Sequence, residues 1–205
     1  MSTGALGSCE LDRLDEAIAL GKYAVARDPM NSIGHFNPGL VYRYAGQLDQ
    51  GIASTRTALS LSPGLIGAQS FIGISLLLKG EPEAALTAMQ QESFEEWRLL
   101  GLVMVHHALG QATESDAALA ELIEKHEQGW AYNIAYVLAF RGEADRAFEW
   151  LDKAVQYNDP GLSLIAVDNL FARIHDDPRW LPFLENVGKS PEQLAAIEFE
   201  VRLLQ

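Results

Sequence analysis

A period of 34 residues constrains this chain more than any other feature of its sequence. Pro29 and Pro63 stand 34 apart, and so do Ala24 and Ala58, and Ala17 and Gly51. The frame returns as Ala147 and Ala154, closing on Asp159-Pro160. A further small residue lies 12 positions before the first of each later pair, Gly39 before Gly51 and Ala135 before Ala147. A repeat of this length marks a supersecondary unit that stacks on its neighbours to bury a continuous core. Small residues let two antiparallel helices cross closely, and proline stops the second helix of each pair. Bulky Tyr42 and Leu138 fill the space between the paired helices.

Such a helix–turn–helix unit resembles the tetratricopeptide repeat. In that frame the units fall at about 32–65, 66–93 (shortened), 94–127 and 128–161, with residues 10–31 supplying only the second helix of an earlier unit. Segments 97–102, 108–110, 114–122 and 141–151, and the stretches 159–162, 167–168 and 177–180, are similar to one bacterial group. That group is the C-terminal repeat region of multidomain signalling proteins, where the repeats follow a nucleotide-cyclase, protein-kinase or winged-helix domain. The resemblance covers about residues 10–188, which contain none of those domains. It implies an all-α, right-handed α-α superhelix with a C-terminal capping helix. The expected organisation is a flexible lead over 1–9, the repeat array over 10–161 and a helical cap over 162–205. The missing partner of the first helix implies either a fragment of a longer protein or coverage by another subunit, because repeat arrays need polar ends.

Apolar periodicity predicts a first helix over 14–26. Further helices are expected at about 48–61, 66–79, 82–91, 95–109, 112–127, 129–141 and 144–157, most of them separated by glycine or proline turns. Pro38 falls where the first helix of unit 32–65 should already run. An interior proline costs about 3 kcal/mol or more. A late start is therefore expected, with Asn37 as N-cap and a helix from about 38 to 45, or else a kink near Pro38. Residues 162–175 read as short helical pieces, followed by a helix over 178–187. Ser190-Pro191-Glu192-Gln193 is a capping-box pattern. The helix it starts presents Leu194, Ile197, Val201 and Leu204 on one face, to be buried as a cap on the last unit or in a dimer seam.

Charge narrows the partners. Lys and Arg total 15 against 28 Asp and Glu, a net charge of −13. Such a surface repels phosphate backbones, so nucleic acid is excluded as a non-specific partner. Residues 1–102 carry 7 basic and 11 acidic side chains and residues 103–205 carry 8 and 17, which would draw a basic partner to the second half. The longest apolar run, 71–78, is far short of the roughly 20 residues that span a bilayer, so no membrane is expected. Cys9 is the only cysteine, and residues 1–9 lack a signal-peptide pattern. A soluble, cytoplasmic protein is the expectation.

Signs of chemistry are weak. His106, His107 and His126 have no metal-binding spacing, because adjacent helical residues point about 100° apart. The carboxylates Glu92, Glu95, Glu96, Glu121, Glu124, Glu127, Asp176 and Asp177 read as solvated helix faces. No phosphate-cradling loop, nucleophile elbow or dinucleotide fingerprint occurs. No enzyme and no cofactor are expected.

The remaining functional surface is the concave face lined by the first helix of each unit. Residues placed there are Phe36, Leu40, Arg43 and Tyr44, then Ile74 and Leu77, then Met104 and His107, then Tyr132, Tyr136 and Phe140. This aromatic and apolar groove suits a protein or peptide partner, with Arg43 and His107 as polar handles. Alternatively, the same side chains pack against neighbouring helices and the C-terminal segment fills the groove. The positions that hold Lys and Asn in carboxylate-clamping repeats are Phe36, Leu40, Ser70 and Ile74 here, so that clamp is absent. Self-association as a homodimer and a small-molecule pocket at Tyr132, Tyr136 and Phe140 are the other two readings.

Overall fold

The structure, a computed structural model, describes residues 13–198. Those residues form paired helices: α1 (Leu14–Arg27), α2 (Ser32–Tyr44), α3 (Leu48–Leu61), α4 (Ala68–Leu78), α5 (Pro82–Gln90), α6 (Glu95–Ala108), α7 (Ala112–His126), α8 (Ala131–Phe140) and α9 (Ala144–Gln156). Two 3₁₀ turns follow, Pro160–Leu164 and Asn169–Ile174, then α10 (Trp180–Asn186) and α11 (Pro191–Ala195). No strand occurs among the described residues. None of these helices is long and apolar enough to cross a membrane.

From α3 to α9 the helices match the sequence periodicity to within two residues at either end. One device repeats at the end of each unit's first helix. Gly46, Gly80, Gly110 and Gly142 take the left-handed conformation, with φ of 71°, 79°, 73° and 79°. The following residue donates back into the helix, Gln47 to the Tyr42 carbonyl and Glu143 to the Leu138 carbonyl, which closes a Schellman cap. The small-residue crossings also stand. A Cβ on Gly51 would sit 3.0 Å from the Gly39 carbonyl oxygen, and one on Gly39 would sit 2.5 Å from Thr55 Oγ1. Gly73 and Gly101 both close on Met89, which is fully buried.

The late start at Pro38 does not occur. Helix α2 begins at Ser32, capped by Asn31, whose side-chain oxygen accepts from Gly34 N at 2.9 Å. Pro38 lies inside the helix and is buried. Its ring packs on α1, where a Cβ on Gly21 would meet Pro38 Cγ at 2.8 Å. The ring is thereby packed against the neighbouring helix rather than left in solvent. The local cost alone does not decide the position.

Helix α10 covers the last unit, with Phe183 edge-on to Phe148 of α9 (6.5 Å) and the Arg179 guanidinium over the same ring (4.4 Å). Ser190 and Gln193 make the expected capping box, but the helix it opens ends at Ala195. Leu194 is buried and Ile197 exposed, so the expected apolar face does not continue that far. Val201, Leu204 and the lead 1–9 lie outside the described residues. The Ile197 carbonyl accepts from Arg13 at 2.7 Å, which ties the end of the described chain to the start of α1.

Candidate functional site

Residues 160–174 leave the last unit and cross the concave face towards the first. Leu164 and Val167 pack with Ala17 and Ile18 of α1 and Val41 and Tyr44 of α2. Phe171, fully buried, lies against Tyr132 (5.5 Å), Tyr136 (6.4 Å) and Trp180 (5.5 Å). The polar anchor is Asp168. Its Oδ1 accepts from Arg43 Nη1 at 3.3 Å and from Leu170 N at 3.2 Å, and its Oδ2 accepts from the Tyr132 hydroxyl at 3.2 Å. The Asn169 amide donates to the carbonyls of Arg43 and Tyr44, both at 3.3 Å. Burial, reinforced by the Asp168 charge, holds the Tyr132 hydroxyl well above its ordinary pKa, so it stays a donor to Asp168. Burial likewise raises Tyr136.

The open groove is therefore corrected for most of its expected lining. Arg43, Tyr44, Ile74, Leu77, Met104, Tyr132 and Tyr136 are buried within the chain. Phe36, Leu40, His107 and Phe140 remain partly exposed. Position within the repeat identifies which side chains face inward. It carries no information about what covers them, because the covering segment is two 3₁₀ turns with no helical period.

What stays accessible is a row of rings along one lip. Phe36 of α2 stands edge-on to Phe71 of α4 at 5.5 Å. Phe71 meets Trp97 of α6 at 5.0 Å, and Trp97 meets Trp130, just before α8, at 4.6 Å. All four are partly exposed. The row passes the mouth of a cleft of ≈ 340 Å³ whose walls include Phe71, Trp97, Trp130, Arg43 and Asp159. Of the row, only Phe36 was legible as a site residue. Phe71, Trp97 and Trp130 each fall within the first turn of their helix or just before it. One aromatic near that point in every unit is the signal that could have found them.

Buried acids hold the helix starts that form this lip. Helix α8 lacks a local side-chain cap, and Asp159 supplies one, accepting from Tyr132 N at 3.0 Å and Gly161 N at 2.9 Å. Glu92 does the same at α4, accepting from Ser70 N at 3.4 Å and Phe94 N at 3.1 Å. A carboxylate beside a helix N-terminus is favoured by the backbone dipoles.

The histidines are not brought together. His106 Nδ1 pairs with Gln111 Oε1 at 2.6 Å, His107 faces Phe140 at 6.1 Å, and His126 lies between Glu95 (3.8 Å) and Glu96 (3.7 Å). No group of three metal-ligating side chains occurs among the described residues.

No protein-family profile and no curated protein matches the sequence. Solved structures do. The thermophilic tetratricopeptide-repeat protein TTC0263 of Thermus thermophilus superposes with a TM-score of 0.60 at 16% identity, over 85% of this chain and 99% of that one. A tetratricopeptide-repeat protein of Parabacteroides merdae gives 0.59 at 16% identity, over 95% and 80%. PilF of Pseudomonas aeruginosa gives 0.57 at 14% identity, over 95% and 93%. The fold is thus the tetratricopeptide-repeat superhelix.

Proposed function

We propose that the protein is a protein-interaction module that holds a peptide or helical segment of a partner along the aromatic lip, as an adaptor or sensory segment of a bacterial signalling system. The lip, rather than the filled centre of the concave face, is the contact surface. The observation that carries this reading is the row Phe36–Phe71–Trp97–Trp130, four partly exposed rings in successive edge-on or tilted contact beside a preformed cleft. Contiguous aromatic surface is where interfaces concentrate their affinity. Burying one apolar side chain of a partner there contributes roughly 1.5–3 kcal/mol. The signalling context rests on the resemblance of segments such as 141–151 and 177–180 to the repeat regions of bacterial signalling proteins.

The test is affinity capture from lysate of the source cells with wild type and Trp97→Ala/Trp130→Ala, the variant's fold checked by circular dichroism. A protein retained by wild type and lost by the variant is the expected result. Equal retention by both removes the lip as the contact surface. Tyr132→Ala and Tyr136→Ala are unsuitable for this purpose, because both rings belong to the core.

A further inference from the structure

Arg43 forms part of the cleft wall and is 2% exposed. Its guanidinium lies over the Tyr44 ring at 4.2 Å and near Phe71 at 5.7 Å. Of its donors, Nη1 reaches Asp168 at 3.3 Å, long for a charge-assisted bond. Its buried Nε–H has no acceptor. The two carboxylates on the cleft wall are already engaged. Asp168 accepts from Arg43, Leu170 N and the Tyr132 hydroxyl, and Asp159 from two backbone amides. An unmet buried donor on a charged group is costly. A ligand that brings an oxygen acceptor to this point removes that cost.

Charge decides which oxygen. Arg43 is balanced by Asp168, and Asp159 by the amides at the start of α8. A ligand carboxylate would add a third negative charge beside two buried ones, in a chain of net charge −13. A carbonyl oxygen satisfies Nε without that penalty. A second depression of ≈ 500 Å³ shares Gly129 and Trp130 with the cleft and is walled further by Glu124, Lys125, His126 and Glu127. Lys125 is already paired with Glu95 and Glu121, and Glu127 with Lys153, so Glu124 is left to set the sign there.

We infer that the cleft takes a basic peptide segment with one aromatic anchor residue: the anchor packs against Phe71, Trp97 and Trp130, a backbone carbonyl beside it accepts from Arg43 Nε, and flanking lysines or arginines lie over the acidic depression. This rests on the lip being an interaction surface, and it names the chemistry of the segment.

The test uses the full ¹⁵N-labelled chain and three blocked pentapeptides: Ac-Lys-Lys-Phe-Lys-Lys-NH₂, Ac-Glu-Glu-Phe-Glu-Glu-NH₂ and Ac-Lys-Lys-Gly-Lys-Lys-NH₂. Proton–nitrogen spectra follow the arginine Nε–H and tryptophan indole signals, with Arg43 assigned from Arg43→Lys. The Lys-Phe peptide is expected to shift the Arg43 Nε–H and both the Trp97 and Trp130 indoles. The glycine peptide should bind about tenfold more weakly, and Arg43→Lys should weaken the Lys-Phe peptide by about tenfold. If the indoles move and the Arg43 signal does not, no ligand carbonyl reaches its Nε; the assignment to Arg43 falls while the lip stands. Preference for the Glu peptide overturns the charge argument, and equal binding of the glycine peptide overturns the anchor. If no signal moves with any peptide, the inference fails, and the capture experiment separately decides the fate of the lip.

Discussion

Phe171→Ala is the perturbation that most directly tests whether the C-terminal segment fills the concave face. The ring is fully buried and touches Tyr132, Tyr136 and Trp180, aromatics contributed by the last unit and by α10. Removing a buried phenylalanine costs about 3–5 kcal/mol, through lost transfer free energy and the cavity left behind. For a chain of this size each kcal/mol moves the melting temperature by about 2–4 °C, so a fall of roughly 6–20 °C is expected. Urea unfolding, followed by far-ultraviolet circular dichroism and by tryptophan fluorescence, measures the cost and reports whether the transition stays two-state. Leu181→Ala, on an exposed side chain nearby, is the control and should stay within about 0.5 kcal/mol. A loss below about 1 kcal/mol for Phe171→Ala, with an unchanged urea slope, would refute the reasoning. The ring would then lie outside the core, and the groove would be open.

Three further outcomes follow from particular contacts. Asp168→Ala leaves Arg43 buried without its counter-charge and should cost about 3–5 kcal/mol, whereas Arg43→Met/Asp168→Leu should recover most of that stability; a double variant as unstable as the single one contradicts this account of the pair. Gly21→Ala drives a Cβ into the Pro38 ring and should cost about 1–3 kcal/mol, less in a Pro38→Ala background, and additive losses in urea would exclude the contact. Asp177 is held at about 2 by its hydrogen bonds from Arg179, below the ordinary carboxylate value. Its contribution is therefore present above about pH 4 and lost as the pH falls through about 2, so the melting-temperature gap between wild type and Asp177→Asn should close over that interval; a constant gap counts against the pairing.

The sequence by itself determined the repeat. Small residues at Gly39, Gly51, Ala135 and Ala147, glycines at the end of each first helix and Pro29, Pro63 and Pro160 after second helices are local requirements of close crossing and chain reversal. Local requirements are readable one unit at a time. The inward-facing positions were legible for the same reason: helical period places Tyr132 and Tyr136 on one face whatever surrounds them. Tertiary structure decided the rest. Pro38 inside α2 packs its ring against Gly21, 17 residues away, where a Cβ would clash with it. The closing of the groove depends on Asp168 meeting Arg43 across 125 residues, and on Phe171 inserting between rings of α8 and α10. No periodicity announces such contacts, because segment 160–174 forms short 3₁₀ turns whose burial is set by the surface beneath them. The aromatic lip lies between these cases. Each ring is visible in its own unit, but only the superhelix brings Phe36, Phe71, Trp97 and Trp130 into edge-on or tilted contact in one surface.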